Sequence, residues 1–134
     1  MIYYGKQSID EADIQAVEAV LRSDFLTQGP AVERFERVVA NYCGAKYAVA
    51  VTNATSALHI ACLAAGLGAG DILWISPVTF VASANCAFYC GASFDFVDID
   101  EKTYNMSAAA LEEKLRQAKK ENRLPKVVVP VHLA

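Results

Sequence analysis

The feature that most constrains this chain is a change of hydrophobic pattern between residues 48 and 65. Residues 48–52 form a short apolar run with β-branched side chains, which is typical of a buried strand. From Thr55 and Ser56 onward the pattern fits one face of a helix, with apolar residues at Leu58, Ala61, Cys62 and Ala65. The sequence therefore predicts a strand that leads directly into a helix.

The start of that predicted helix is rich in small and hydroxylic residues, from Asn53 to Ser56. The first backbone N–H groups of a helix lack partners, and the helix dipole adds partial positive charge there. Short hydroxyls beside such groups suit a phosphate. The same residue types also begin many helices that bind no ligand. On this stretch alone, a phosphate site and an ordinary N-cap both stay open.

The remaining sequence alternates between predicted strands and helices. The predicted strands are short apolar runs at Ile72–Ser76, Phe94–Asp98 and Val127–Val131. The segment Phe80–Cys90 is apolar on nearly all sides, which predicts a helix buried on both sides. A later helix, capped by Ser107, is expected to direct Leu111, Leu115 and Ala118 inward and Glu112, Glu113, Lys114 and Lys119 outward.

This alternation predicts an α/β fold in which a mostly parallel sheet is flanked by helices. In such sheets ligands bind at the carboxyl ends of the strands. We therefore expect one rim to carry Asn53–Ser56, Ser76–Phe80 and Val131–Leu133.

The amino-terminal part of the sequence predicts two further helices. Ser8 and Glu11 have the spacing of a capping box, so we expect Ser8 to be the N-cap of a helix that ends near Arg22 and Ser23. A loop then leads to Pro30, which suits the first turn of the next helix. That helix shows one apolar face and stops at Gly44; the face consists of Phe35, Val38, Val39 and Tyr42.

Composition narrows the function classes. The chain has 134 residues, of which 54% are hydrophobic and 20% charged, with a formal net charge of −3. These values suit one globular domain and give no reason to expect nucleic acid or a membrane as a partner. The four cysteines lack CxxC spacing, and His59 with Cys62 makes only a weak metal case, so we expect no metal and a cytoplasmic location with reduced thiols. Neither GxGxxG nor GxxxxGK[ST] occurs, which disfavours a generic Rossmann-like oxidoreductase.

Four segments, in this order and at fitting distances, resemble the amino-terminal part of the DegT/DnrJ/EryC1/StrS family of pyridoxal-phosphate sugar aminotransferases: Ser23–Pro30, Asn53–His59, Ser76–Asn85 and Val97–Asp100. The resemblance covers essentially the whole chain. It implies residues 1–134 as the amino-terminal portion of the large domain of a fold-type I aminotransferase. Within the family, the closest likeness is to enzymes that aminate a UDP-linked 4-keto-6-deoxy amino sugar on the route to pseudaminic acid.

The resemblance also implies roles for individual residues. Ala54, Thr55 and Ser56 match the segment that holds the phosphate of the pyridoxal 5'-phosphate cofactor, and Phe80 matches the aromatic residue that stacks on its pyridine ring. Without the family, Phe80 would be an ordinary core residue. His132 fits the strand-end segment near the cofactor, and a structural histidine is an equal alternative. Positions that line the nucleotide-sugar pocket are matched by Tyr4, Asp24, Phe25, Leu26 and Thr27.

The resemblance implies no catalytic residue within the chain. The lysine that forms a Schiff base with the cofactor, and the carboxylate that pairs with its pyridine nitrogen, lie beyond the position where this sequence stops. The lysines present fall in segments that are predicted to be exposed to solvent, and the sequence ends on an uncovered strand. We therefore expect a truncated chain that is inactive alone, from a homodimeric enzyme that takes its amino group from glutamate. The alternative is a non-catalytic α/β module that binds a phosphorylated ligand or a partner protein.

Overall fold

The computed structural model describes residues 5–133, and the chain divides after Ala50 into two compact units. The first unit holds two helices, α1 (Glu11–Leu21) and α2 (Pro30–Cys43). The second holds three helices and three strands; in chain order they are α3 (Ala54–Ala64), β1 (Ile72–Ile75), α4 (Ala82–Tyr89), β2 (Ser93–Phe96), α5 (Ala108–Lys120) and β3 (Val127–Val129).

Helix α1 begins two residues later than the capping box at Ser8 predicts. The N-cap is Asp10, whose carboxylate accepts hydrogen bonds from the backbone N–H groups of Ala12 and Asp13 at 2.9 and 3.1 Å. The Asp13 carboxylate in turn accepts from the N–H of Asp10 at 3.0 Å. The prediction of Ser8 as the cap was wrong because Asp10 is an equally good cap residue and adds a negative charge at the positive end of the helix dipole.

Helix α2 has the predicted ends. Pro30 occupies its first turn, and Gly44 follows it with a left-handed φ of 64°, which a residue without Cβ adopts at no steric cost. Its apolar face is not packed within the described residues, since Phe35, Val38 and Tyr42 are exposed and only Val39 is half-buried. This face therefore adds little to the stability of the first unit.

The predicted strand at residues 48–52 is wrong. Within the described chain this run pairs with no other strand, and Val49 is largely exposed. The helix that the same stretch predicts does form, as α3.

The sheet of the second unit has the order β2-β1-β3, and both pairings are parallel. Helices cover both of its faces, since alternate β1 residues enter two different hydrophobic clusters. Leu73 and Ile75 pack with Cys62 of α3 and Cys86 of α4, whereas Trp74 packs with Ala118 of α5. The predicted α/β fold with a parallel sheet flanked by helices is confirmed.

The strands and α4 are shorter than the sequence predicts. Strand β3 covers three half-buried residues rather than a buried run to Val131. Helix α4 buries small side chains such as Ala84 and Ala87, but Phe88 and Tyr89 are exposed within the described chain. The predicted burial of this helix on both sides is therefore wrong for its large residues.

Helix α5 follows the prediction at its start. The Ser107 hydroxyl accepts a hydrogen bond from the N–H of Ala110 at 3.2 Å, and Ala118 is buried. Lys114 departs from the prediction, because it turns toward the sheet instead of toward solvent. No helix among residues 5–133 is long and apolar enough to cross a membrane.

Candidate functional site

The amino end of α3 forms a compact group of polar atoms. Asn53 is the N-cap, and its side-chain oxygen accepts a hydrogen bond from the N–H of Ser56 at 2.9 Å. The hydroxyls of Thr52 and Ser56 lie 3.4 Å apart. Thr55 and Ser56 are half-buried in the first helical turn, which contains no acidic side chain. The predicted position of both hydroxyls at a helix start is confirmed.

Two backbone donors remain available at this helix start. Among the described residues, the N–H groups of Ala54 and Thr55 have no hydrogen-bond acceptor, while the next two N–H groups bond to Asn53. Unpaired N–H groups, short hydroxyls and the positive end of an 11-residue helix together favour an anion. These residues therefore fit the phosphate group of a cofactor.

Phe80 lies between the carboxyl end of β1 and the first turn of α4. Phe80 is 75% exposed, so its side chain is not part of the hydrophobic core. Its backbone is fixed, because its carbonyl accepts from the N–H of Ser83 at 3.0 Å and the hydroxyls of Thr79 and Ser83 lie 2.8 Å apart. The ring is therefore an exposed aromatic surface on an ordered backbone.

Helices α3 and α4 pack directly against each other. The Sγ atoms of Cys62 and Cys86 are 3.6 Å apart, and the rings of His59 and Tyr89 have centroids 5.4 Å apart. Burial, and then the hydrogen bond with Cys86, raise the pKa of Cys62 to about 11, so this thiol stays protonated near neutral pH. The helix that carries Thr55 and the helix that follows Phe80 are thus held together by a buried contact that no sequence motif indicates.

The described residues that are predicted to line a sugar pocket belong to the first unit. Asp24, Phe25, Leu26 and Thr27 form an exposed loop, in which the Ser23 hydroxyl donates to the carbonyl of Phe25 at 3.2 Å. The loop folds back tightly, since a Cβ at Gly29 would lie 2.8 Å from the Cβ of Phe25. Tyr4 lies outside the described residues. The role of these residues in sugar binding stays a prediction.

Lys114 is the lysine that departs from the predicted solvated setting. Its ammonium lies 2.6 Å from the Asp95 carboxylate, bonds to the carbonyl of Phe96, and lies 4.8 Å from the centre of the Trp74 ring. Burial raises the pKa of Asp95, but the hydrogen bonds from Lys114 and from the N–H of Phe96 outweigh it and hold the pKa below its ordinary value. Because this ammonium is paired with a carboxylate, it is a structural cation on the α5 side of the sheet.

The fold and the helix start define a class, since a parallel α/β sheet with a phosphate-type helix start is typical of enzymes that hold a phosphorylated ligand. The family model "DegT/DnrJ/EryC1/StrS aminotransferase family" matches residues 7–134. The chain belongs to this family, and the family predicted from the sequence is confirmed.

Two relatives illustrate the similarity. The chain is 41% identical over 129 residues to the spore coat polysaccharide biosynthesis protein SpsC of Bacillus subtilis, covering 96% of this chain and 32% of the relative. It is 40% identical over 115 residues to the UDP-4-amino-4,6-dideoxy-N-acetyl-beta-L-altrosamine transaminase of Campylobacter jejuni, covering 86% and 30%. The chain thus spans about a third of the length of the relatives it matches.

Solved structures agree with this assignment. A DegT DnrJ EryC1 StrS aminotransferase from Brucella abortus superposes with a TM-score of 0.81 at 34% identity, covering 90% of this chain and 32% of that chain. NtdA from Bacillus subtilis, solved with the bound cofactor PMP, superposes with a TM-score of 0.75 at 30% identity, covering 90% and 26%. The fold is therefore shared with aminotransferases, and one similar structure contains the cofactor PMP.

Proposed function

We propose that this chain is the amino-terminal part of the large domain of a pyridoxal-phosphate-dependent aminotransferase that transfers an amino group to a nucleotide-linked sugar. The single observation that carries the proposal is the amino end of α3. It offers two N–H groups without acceptors, beside the hydroxyls of Thr52 and Ser56. Family membership over residues 7–134 supports the same reading.

In this proposal the chain's own residues bind and orient the cofactor. Ala54 and Thr55 donate backbone N–H groups to the phosphate, and the hydroxyls of Thr55 and Ser56 add hydrogen bonds. Phe80 would stack on the pyridine ring of the cofactor. When bound, the cofactor carries the amino group between donor and acceptor. No residue of this chain is assigned to proton transfer, and the chain alone is expected to be inactive.

The substrate proposal rests on the relatives. The Campylobacter jejuni relative is a transaminase of a UDP-linked 4-amino-4,6-dideoxy sugar, which supports a nucleotide-linked 4-keto-6-deoxy sugar as the acceptor here, in pseudaminic acid-type glycan synthesis. Asp24–Thr27 and Tyr4 would line the sugar-nucleotide pocket, with glutamate as the amino donor. The exposed Phe25 and Leu26 side chains offer apolar surface to such a ligand.

We further propose a cytoplasmic homodimer. The four cysteines are free in the described structure, including the adjacent Cys62 and Cys86, which suits a reducing compartment. The exposed Phe88 and Tyr89 side chains of α4 supply apolar surface suited to a subunit interface.

The proposal is tested by adding pyridoxal phosphate to the full chain that contains this sequence. We expect a new absorbance band in the visible region, loss of the band on dialysis with an amino donor, and amino transfer to a UDP-linked 4-keto-6-deoxy sugar.

In parallel, the 134-residue chain is treated with pyridoxal phosphate and borohydride, and we expect scattered or absent labelling. A single stoichiometric lysine adduct with amino-transfer activity would contradict the expected inactivity of the short chain. Binding of a phosphorylated ligand without transfer would favour a non-catalytic module.

A further inference from the structure

The loop between β2 and α5 is held by a dense set of hydrogen bonds. The Asp100 carboxylate accepts from the N–H groups of Lys102 and Thr103 at 3.1 and 2.9 Å, and from the Thr103 hydroxyl at 3.1 Å. The N–H of Asp100 donates to the carbonyl of Asn105 at 2.9 Å. Ile99 and Met106 form an antiparallel bridge that closes the loop. The backbone of Asn105 is therefore firmly placed.

The side chain of Asn105 reaches a segment 28 residues away. Its Oδ1 atom accepts a hydrogen bond from the backbone N–H of Leu133 at 2.9 Å. Leu133 follows β3, and Asn105 follows β2, so the bond joins the segments beyond the carboxyl ends of the two outer strands of the sheet. The carboxyl end of the central strand β1 lies between those strands.

This bond is the main restraint on the segment beyond β3. Residues 130–133 form no strand. Leaving aside the hydrogen bonds of the sheet, the one hydrogen bond that these residues make within the described chain is the bond from Leu133 to Asn105. The bond is solvent-exposed, and it restrains a backbone segment that no secondary structure of its own holds. The place of His132 therefore depends on Asn105.

We propose that Asn105 is a positioning residue for the ligand site at the carboxyl edge of the sheet. It acts through Leu133, whose bond holds residues 131–133 beyond the carboxyl end of β3, and ligands of parallel sheets bind at that edge of the sheet. A binding site depends on supporting residues that hold its groups in place, so loss of this bond is expected to weaken binding. The inference rests on the proposed function, because the ligand tested is pyridoxal phosphate.

The test compares two substitutions in the full chain. Asn105→Leu removes the acceptor oxygen at similar size, whereas Asn105→Asp keeps an oxygen that can accept from Leu133. For Asn105→Leu we expect amide exchange in a peptide covering residues 130–133 to rise about tenfold, and the Kd for pyridoxal phosphate to rise about fivefold, as loss of one hydrogen bond implies. Asn105→Asp should leave both within about twofold of wild type.

Controls separate this role from general destabilisation. Asn41→Leu, on the exposed surface of α2, should change neither measurement. Asn105→Ala replaces Asn105→Leu if thermal unfolding shows that the latter does not fold. Faster exchange with an unchanged Kd would show a merely structural bond and overturn the inference, as would unchanged exchange. If the wild-type chain binds no pyridoxal phosphate, the proposed function fails first, whatever the exchange data show.

Discussion

The amino ends of α3 and α5 share the same pattern of capping hydrogen bonds but differ in chemistry. In each, a polar cap residue accepts from the N–H three positions on: Asn53 from Ser56 at 2.9 Å, and Ser107 from Ala110 at 3.2 Å. In each, the cap's carbonyl accepts from the N–H four positions on. The first turn of α3 contains two hydroxylic residues, whereas that of α5 begins with three alanines.

The surroundings of the two helix starts differ as well. The N–H of Ser107 donates to the carbonyl of Asp98, so α5 begins directly against an acidic loop, whereas Thr52 adds a third hydroxyl at α3. A helix start alone therefore does not define a phosphate site in this chain. What distinguishes α3 is the set of hydroxyls next to its unpaired N–H groups, and the predictions below test that distinction.

The largest expected effect comes from removing the phosphate from the ligand. Pyridoxal should bind the full chain at least about 100-fold more weakly than pyridoxal phosphate, because several charge-assisted hydrogen bonds and the dipole interaction at α3 are lost. Absorbance titrations with the two compounds measure the ratio. Similar affinities would show that the start of α3 is no more an anion site than the start of α5.

The next effect concerns the aromatic ring at the carboxyl edge. Phe80→Ala should weaken cofactor binding about tenfold, on the scale of an aromatic stacking contact, while the apo protein unfolds at an unchanged temperature because Phe80 is 75% exposed. Phe94→Ala is the matched control, since Phe94 is half-buried and packs edge-on against Phe88 with ring centroids 5.2 Å apart. It should lower stability and leave cofactor affinity unchanged. A loss of stability with Phe80→Ala and no loss of affinity would assign that ring to packing.

Removing each helix cap sharpens the comparison further. Asn53→Ala and Ser107→Ala should each lower the free energy of unfolding by about 1 kcal/mol, the usual contribution of an N-cap side chain. Only Asn53→Ala should also change cofactor affinity, because it removes the capping side chain from the start of the helix that we propose binds phosphate. Urea unfolding gives the free energy of unfolding of each variant, and titration with the cofactor gives its affinity. An equal change of affinity in both variants would remove the distinction between the helix starts.

The smallest effect is a pH dependence confined to the α5 side. The N–H of Thr103, then that of Lys102, hold the pKa of Asp100 below its ordinary value of 3.8. A carboxyl whose pKa is lowered by folding stabilises the fold above its ordinary pKa, and the contribution disappears as pH falls through the lowered value. The stability difference between wild type and Asp100→Asn should therefore be constant near pH 6 and shrink below about pH 4. A stability difference between the two proteins that grows as the pH falls would contradict this prediction.

Local signals in the sequence predict several elements correctly. Pro30, Gly44 and Ser107 mark helix ends because their effects act within one turn of backbone, and the structure confirms all three. The N-cap of α1 is Asp10 rather than the predicted Ser8, because both residues satisfy the same short-range rule for capping a helix. The helix start at Asn53–Ser56 is likewise a local feature, and α3 confirms it.

Features that depend on distant neighbours were beyond the sequence. Residues 48–52 have the hydrophobic pattern of a strand. A strand also needs a neighbouring strand to pair with, and the pattern does not identify one. Lys114 turns toward the sheet because parallel pairing sets Asp95 opposite Trp74, a register that only the fold determines. The bond between Asn105 and Leu133 spans 28 residues and leaves no local signal.

The central claim, that the hydroxyls at the start of α3 bind the cofactor phosphate, is tested most directly by the Kd of pyridoxal phosphate for the full chain carrying Thr55→Val. Valine keeps the shape of threonine and removes only the hydroxyl. We expect the Kd to rise about 5- to 30-fold, equivalent to about 1–2 kcal/mol, while Ser107→Ala leaves it unchanged. An unchanged Kd for Thr55→Val, measured with an unfolding temperature equal to that of wild type, would contradict the claim.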